Sequence, residues 1–324
     1  MRAGFYTLGC KLNQSETEAL ADAFRRAGHT AAGMDEPADL YILNTCTVTS
    51  KSEQKARRAL RKILAECAAS PVIVTGCYAQ LEKERLREEF GPRVFVLGLE
   101  EKALLLDLPP LLSGMAADCG PDILGSFFAQ NHATGPDGKF RFSAARCSFH
   151  TRAFLKIQDG CDNRCAYCRV CLARGPSASL DAEEVLRRFR ALEAEGYREI
   201  VLTGVNLMSY KSGDADITGL LEKLVAAPPG ENSAPARIRI SSLEPEGITE
   251  SLARVLSHPR VCPHFHLPLQ SGSDAVLRAM ARRYTRATVI QATGLLRAAR
   301  RGAFIAADII TGFPGESAED HAQT

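Results

Sequence analysis

Short apolar runs alternate with amphipathic stretches along most of this chain. In the first third, "AGFYTLGC", "DLYILNTC", "PVIVTGC" and "RVFVLG" predict strands, with helices near residues 15 to 28, 51 to 67 and 79 to 90. Strand and helix repeating in turn predict an α/β fold around a parallel sheet. The periodicity fades over 111–146, where Gly, Pro, Ser and Asp gather, and a linker is expected there. Alternation then resumes. "AFLKIQ", "REIVLTGVN", "RIRISSLEP", "HFHLPLQS" and "FIAADIITGF" predict five more strands, with helices near 181 to 195, 216 to 226, 248 to 257 and 273 to 299. Five βα units in succession predict a barrel or part of one. The expected organisation is an N-terminal parallel-sheet domain over 1–110, the linker, and a partial (βα) barrel over 147–324. A closed barrel needs at least one more strand after "ESAEDHAQT", so the last strand is expected to be missing and to leave an unpaired, aggregation-prone edge.

Composition narrows the class. A chain of 324 residues can bury two cores, and 45% hydrophobic with 24% charged residues is ordinary for a soluble globular protein. The start, "MRAGFYTLGCKLNQ", turns polar after one short strand, unlike a signal peptide, and no apolar stretch is long enough to span a bilayer. A cytoplasmic protein with no membrane partner is expected. In that reducing compartment the 11 scattered cysteines read as metal-binding or catalytic thiolates rather than as a disulfide framework. Net charge is +2, from 40 basic and 38 acidic side chains, and says little by itself. One local run stands out: Lys51, Lys55, Arg57, Arg58, Arg61 and Lys62 in "KSEQKARRALRK", against the single acid Glu53. On a helix it makes either a cationic face suited to phosphates or a plain solvated face.

Three of the first four strands run into a cysteine, namely Cys10, Cys46 and Cys77. Ligands of open α/β sheets collect at the carboxyl ends of parallel strands, so these distant thiols are expected to meet. A tighter group, Cys161, Cys165 and Cys168, lies in "CDNRCAYC" at the end of the first barrel strand. Structural zinc favours four closed ligands, often paired C-x-x-C knuckles, and no second knuckle follows. Three thiolates on a [4Fe-4S] cluster leave one iron open to a substrate or cofactor. The C-x-x-x-C-x-x-C spacing, with Tyr167 before its last cysteine, resembles the signature of radical S-adenosylmethionine (SAM) enzymes.

Two open clusters on one chain resemble the radical SAM methylthiotransferases. The resemblance covers essentially the whole chain, through "TLGCKLNQSETE", "YILNTCTVTSKSEQKARRALRK", "VIVTGCYAQ", "KIQDGCDNRCAYC", "ARGPSASL", "IVLTGVNLMSY", "ISSLEPEGIT", "HLPLQSGSDAVLRAMARRYTR" and "DIITGFPGE". Within the family, "GCKLNQ", "TGVNLMSY" and "RAMARRYTR" look most like the branch that places a methylthio group on carbon 2 of N6-threonylcarbamoyladenosine, next to the anticodon of tRNA. The resemblance implies two [4Fe-4S] clusters and SAM as cofactors. It makes Cys161, Cys165 and Cys168 the catalytic ligands of the cluster that cleaves SAM to a 5′-deoxyadenosyl radical, and Cys10, Cys46 and Cys77 the ligands of an auxiliary cluster carrying the sulfur. It also implies a tRNA anticodon stem-loop as partner and an electron donor such as flavodoxin or ferredoxin. The oligomeric state is left open.

Cofactor contacts are expected at strand ends. Tyr167 either rests on the adenine or fills the barrel mouth. Thr203, Gly204 and Asn206 end the second barrel strand, where a small residue lets backbone approach the methionine. Ser241 and Glu244 suit its carboxylate, amine or ribose, and Gln270 the ribose or substrate; each is equally readable as a cap or turn. His266 is expected to be a polar residue of the barrel interior. Two departures stand against the family pattern: Cys171 occupies a place where proline is common, as a fourth thiol near the cluster, and the RNA-binding β-barrel domain of family members does not follow. Recognition of tRNA would then rest on the 51 to 62 helix and on "RAMARRYTR". Two other readings stay open: a catalytically inactive remnant that binds a cluster or zinc, and a methylthiotransferase for another tRNA base or a ribosomal protein.

Overall fold

The computed structural model of the chain describes residues 1–113, 120–131, 136–228 and 234–324, so 114–119 and 132–135 of the expected linker lie outside the described residues. The chain forms two compact units, Met1–Lys156 with Leu172–Gly175, and Ile157–Cys171 with Pro176–Thr324.

The first unit is built on β1 (Arg2–Thr7), α1 (Lys11–Arg26), β2 (Thr30–Gly33), β3 (Leu40–Thr45), α2 (Ser50–Glu66), β4 (Val72–Gly76), α3 (Cys77–Leu81), α4 (Lys83–Phe90) and β5 (Val94–Val96). Its five strands are ordered β2-β1-β3-β4-β5, and every pair is parallel. Strand β2 escaped the pattern because "TAAG" has no apolar alternation and sits at an edge. Strand β3 is buried throughout, as expected of a parallel strand covered on both faces. Its odd and even residues divide accordingly. Leu40 and Ile42 join Leu20 and Phe24 of α1 in one core cluster, and Tyr41 and Leu43 join Ala56, Leu60 and Ile63 of α2 in the other.

The segment read as a linker is partly structured. Helices α5 (Leu108–Ser113) and α6 (Pro121–Gln130) lie in it or at its edge, and Leu112, Leu124, Phe142 and Ala144 are buried in the α1-side core. Few, widely spaced anchors gave no 3.6-residue rhythm to read. Strand β6 (Ala153–Lys156) closes this part of the chain.

The second unit opens with β7 (Gln158–Asp159), α7 (Val170–Arg174), whose last three residues belong to the first unit, and β8 (Ala178–Ser179), which pairs antiparallel with β7. It continues through α8 (Ala182–Ala194), β9 (Glu199–Thr203), the small hairpin β10 (Lys211–Ser212) and β11 (Ala215–Asp216), α9 (Ile217–Ala226), β12 (Arg237–Ile240), α10 (Glu250–Leu256), β13 (His264–Gln270), α11 (Asp274–Ala279), α12 (Arg286–Ala299), β14 (Phe304–Ile309) and α13 (Ala318–Gln323). Strands β9 and β12 pair in parallel, as do β13 and β14. Asp181, Asp216, Thr249, Ser273, Thr285 and Ser317 cap the helices that follow them.

The helix expected over 273 to 299 is two helices. Ala281 takes a left-handed φ of 56° and Thr285 starts a new capping box, so the 280 to 285 turn leaves the helical path. Its side chains are freed to face the site described below.

Leu60 is fully buried between α2 and the sheet. Leu60→Ala should destabilise the protein by about 2–5 kcal/mol, read as a lower denaturant midpoint at unchanged slope.

Candidate functional site

Two thiol groups lie at strand ends, one in each unit. In the first, Cys10 occupies the N-cap of α1, Cys46 follows β3 and Cys77 follows β4. The three are close enough to feel one another's charge. Cys46 and Cys77 are buried while Cys10 is exposed. Burial pushes the Cys46 thiol up to about 11 and also raises that of Cys77, so without a metal both hold their protons at neutral pH.

Glycine makes the approach possible. Gly9 and Gly76, each preceding a cysteine, have φ of 102° and 98°. A Cβ on Gly9 would lie 2.6 Å from the Cys46 sulfur, and one on Gly76 would lie 2.3 Å from the Thr45 carbonyl oxygen.

Asn13, of the "GCKLNQ" run, fastens the loops. Its Nδ2 donates to the Leu8 carbonyl at 2.9 Å and the Thr45 carbonyl at 3.0 Å, tying the approach to Cys10 to that of Cys46. Behind it sits the buried carboxylate of Glu16. Lys156 Nζ and Arg174 Nη1 donate to its Oε1 at 2.7 and 3.0 Å, while Lys102 Nζ and Arg174 Nη2 donate to Oε2, the latter at 3.2 Å. Arg174 Nη2 also reaches Asn13 Oδ1 at 2.7 Å, and the guanidinium hydrogen-bonds the Cys77 thiol. Lys102 further donates to Asn44 Oδ1 at 2.9 Å. Burial pushes the Glu16 carboxyl up, but Arg174, Lys102 and Lys156 overcome it and hold it well below the ordinary carboxylate range.

In the second unit, Cys161, Cys165 and Cys168 lie on one loop, and burial raises the thiols of Cys161 and Cys168. Backbone amides of Asn163 and Val170 each donate to a sulfur at 3.4 Å, of Cys161 and Cys168 respectively, as the amide of Val48 does for Cys46. Gln158 holds the loop's entrance. Its Oε1 accepts from the amides of Val205 and Asn206 at 2.8 Å, and its Nε2 donates to the Gly160 carbonyl at 2.7 Å and to Ser177 Oγ at 3.0 Å. The group that crowds Gly204 is Gln158 itself, whose Oε1 would be 2.8 Å from an added Cβ.

Asn206 hydrogen-bonds the Cys161 thiol, and Glu244 lies near enough to act on it electrostatically. Arg282, from the 280 to 285 turn, pairs with Glu244, donates from Nη1 to Cys165 Sγ at 3.2 Å, and stacks its guanidinium 4.7 Å from the Tyr284 ring centre. In the same turn, the Met280 carbonyl accepts from the Ala166 amide at 3.0 Å. Burial pushes the Glu244 carboxyl up to about 7, against the pull of Arg282, and raises the Tyr167 hydroxyl beside Arg282 and Cys165. Ser241 Oγ and Arg282 Nε are buried without a hydrogen-bond partner among the described residues. Thr203 and Gln270 add no side-chain hydrogen bond to this group among the described residues. Gln270 does hold a left-handed φ of 65° at the bulge between β13 and β14, a strained conformation for a non-glycine residue.

A radical SAM superfamily profile matches residues 155–324, and that of the uncharacterized protein family UPF0004 matches residues 2–98. A Treponema pallidum protein named threonylcarbamoyladenosine tRNA methylthiotransferase MtaB is 41% identical, over 98% of this chain and 76% of its own length. A Sorangium cellulosum protein named tRNA-2-methylthio-N(6)-dimethylallyladenosine synthase is 35% identical, over 100% of this chain and 68% of its own. The chain belongs to the radical SAM methylthiotransferases. Its fold agrees: the structure of the radical SAM methyltransferase TsrM from Kitasatospora setae, with cobalamin and a [4Fe-4S] cluster bound, superposes with a TM-score of 0.63 at 15% identity, over 98% of this chain and 71% of that one.

A radical SAM methylthiotransferase is a transferase that uses SAM and a [4Fe-4S] cluster, and the residues present fit that group. Each donor set is three thiols, the soft ligands iron–sulfur clusters take. Among the described residues, no three His, Cys, Asp or Glu side chains are placed to share a single metal ion. The Ser241 hydroxyl and the Nε of Arg282, whose Nη1 reaches Cys165, are buried polar atoms that a bound cofactor can satisfy.

Sequence reasoning missed Asn13, Glu16, Gln158, Arg174 and Arg282. Arg282 was taken with "RAMARRYTR" as an RNA contact, but its side chain is 5% exposed and faces the cysteines. Cys171 is half-buried, with its sulfur 3.9 Å from the Cys168 carbonyl oxygen. On the basic helix α2, Arg57 donates to the Tyr78 hydroxyl, Arg61 pairs with Glu89 and Lys62 with Asp35, leaving Lys51, Lys55 and Arg58 as its exposed cations without such ties among the described residues.

Gly76→Ala should destabilise the first unit by more than about 1 kcal/mol, read as a lower denaturant midpoint. Glu16→Gln should lower stability by about 3–5 kcal/mol near neutrality, since it removes the buried carboxylate that Lys102, Lys156 and Arg174 share. Because the folded-state value is depressed, Glu16's contribution is complete above the ordinary carboxyl value of 4.5 and is lost as pH falls through the lower folded value. The gap between wild type and variant, read by denaturant titration, should therefore be constant from pH 6 to 8 and close only in strong acid.

Proposed function

We propose that this chain transfers a methylthio group to carbon 2 of N6-threonylcarbamoyladenosine next to the anticodon of tRNA, using two [4Fe-4S] clusters. The observation that carries this reading is the presence of two separate three-thiol groups, each gathered at strand ends within its own unit. One cluster suffices to cleave SAM, so a second supports sulfur transfer. The choice of base rests on the names of relatives, 41% identity to a threonylcarbamoyladenosine enzyme against 37% and 35% to two dimethylallyladenosine ones.

Cys161, Cys165 and Cys168 would hold the SAM-cleaving cluster, and Cys10, Cys46 and Cys77 the auxiliary one. When bound, cluster and SAM supply the radical that an unactivated aromatic C–H requires. The protein's part is position. Asn206 and the Asn163 and Val170 amides hold the sulfurs by hydrogen bonds that favour thiolate. Glu244, at about 7, shares its negative charge with Arg282 and can turn to the amine of the methionine, while Ser241 offers a free hydroxyl. Tyr167, Thr203, Gly204 and Gln270 complete the proposed cofactor contacts. Cys46, Cys77 and Cys165 are buried, which shields part of each group from water. Lys51, Lys55 and Arg58 would meet tRNA phosphates, so binding should weaken steeply with salt. No helix among the described residues is long and apolar enough to cross a membrane. A cytoplasmic enzyme reduced by a flavodoxin or ferredoxin is consistent with these features.

After anaerobic reconstitution the wild-type chain should hold about eight irons, and C161A/C165A/C168A about four, as two four-iron clusters require. Expressed in a bacterium lacking its own enzyme for this step, the chain should yield 2-methylthio-N6-threonylcarbamoyladenosine in digested tRNA. The dimethylallyl product in its place would reassign the base, and no methylthio nucleoside at all would overturn the reading.

A further inference from the structure

The three cysteines of the second unit do not take their hydrogen bonds from the same kind of donor. Cys161 and Cys168 accept from the backbone amides of Asn163 and Val170, at 3.4 Å each, within their own loop. Cys165 is buried, and its sulfur accepts at 3.2 Å from Arg282 Nη1, a side chain 117 residues further along. An amide comes with the loop that carries it. A side chain from elsewhere is a separate lever on the same sulfur.

Arg282 is held on several sides. Its Nη2 pairs with Glu244, and its guanidinium lies 4.7 Å from the centre of the Tyr284 ring. Tyr284 is itself fixed, because its hydroxyl donates to the carbonyls of Pro268 and Leu269 on β13, at 2.7 and 3.0 Å. The turn is tied to the cysteine loop through the amide of Ala166, next to Cys165, which donates to the Met280 carbonyl at 3.0 Å. The Arg282 amide in turn donates to the Leu277 carbonyl at 2.9 Å, which closes the end of α11. A planar guanidinium can serve a carboxylate with one terminal nitrogen and a sulfur with the other, which an ammonium on a flexible stem does poorly. Glu244 offsets the charge of Arg282, so what reaches the sulfur is chiefly a directed N–H.

We propose that Arg282 is a positioning residue that sets the reduction potential of the SAM-cleaving cluster through its hydrogen bond to Cys165, with Glu244 and Tyr284 holding the guanidinium in place. This rests on the assignment of Cys161, Cys165 and Cys168 to that cluster. A [4Fe-4S] cluster gains one negative charge when it accepts an electron, and hydrogen bonds to its sulfurs stabilise that reduced form. Arg282 thus raises the potential and eases the uptake of the electron.

The test uses the full chain carrying C10A/C46A/C77A, so that only the second-unit cluster assembles. It is reconstituted anaerobically and titrated with dithionite under electron paramagnetic resonance, at mildly alkaline pH where Glu244 is ionised. With Arg282 present the chain should hold about four irons. Adding R282Q should shift the midpoint to lower potential. R282K, which keeps the charge but loses the fork, should give a smaller shift in the same direction and carries the comparison if R282Q does not fold. E244Q, which removes the neighbouring anion and leaves the donor to Cys165, should shift the midpoint upward. Four irons at an unmoved potential in R282Q and R282K, or a downward shift in E244Q as large as that in R282Q, overturns the assignment to the Arg282 hydrogen bond. A parent chain that folds and holds no iron overturns the assignment of these three cysteines to a cluster, and the inference with it.

Discussion

Glu16 is the point on which the first unit turns. Its carboxylate lies on α1, yet its three cationic partners come from the segment after β5, from β6 and from the end of α7, separated by as many as 158 residues. A charge so deeply buried is tolerable only when every lone pair is occupied, and here each oxygen takes two donors. The same saturation that makes the carboxylate tolerable fixes four stretches of chain at one place. Asn13, one helical turn earlier, carries that order forward to the loops of Cys10 and Cys46, and Arg174 carries it to Cys77.

The second unit reaches a similar end with less charge. Gln158 takes two backbone amides on its carbonyl oxygen and gives its amide hydrogens to Gly160 and Ser177, so the strand entering the cysteine loop is bound to the "TGVN" turn. Arg282 then touches Cys165 while paired with Glu244. In both units an arginine paired with a carboxylate distant in sequence acts on one cysteine of the three, Arg174 on Cys77 and Arg282 on Cys165. Three of the other sulfurs, those of Cys46, Cys161 and Cys168, take backbone amides two residues on.

Much of this was readable. Apolar runs ending in cysteine placed Cys10, Cys46 and Cys77 at carboxyl ends of strands, and a parallel sheet brings such ends together by its geometry. The tight spacing of Cys161, Cys165 and Cys168 signalled its chemistry without any tertiary contact. Harder were residues whose meaning depends on a distant partner. Glu16 and Lys102 look like helix-surface charges in the sequence, and Arg282 sits in a run of basic residues that suggests a solvated face. The helix expected through 273 to 299 concealed the turn that aims it, because Ala281 gives no warning of a positive φ. Likewise Leu112, Leu124 and Phe142 are core residues within a stretch that lacks periodicity, since single anchors spaced by irregular chain leave no rhythm.

By itself the sequence determined the α/β class, most of the strand positions and the two sets of thiols, because periodicity and close spacing are local properties that survive any arrangement of the rest. Only the tertiary structure decided which polar residues serve those thiols. Asn13, Gln158, Arg174 and Arg282 act through hydrogen bonds of about 3 Å. Such bonds join residues far apart in the chain, and nothing about an arginine or a glutamine in a linear sequence says which distant group it will meet.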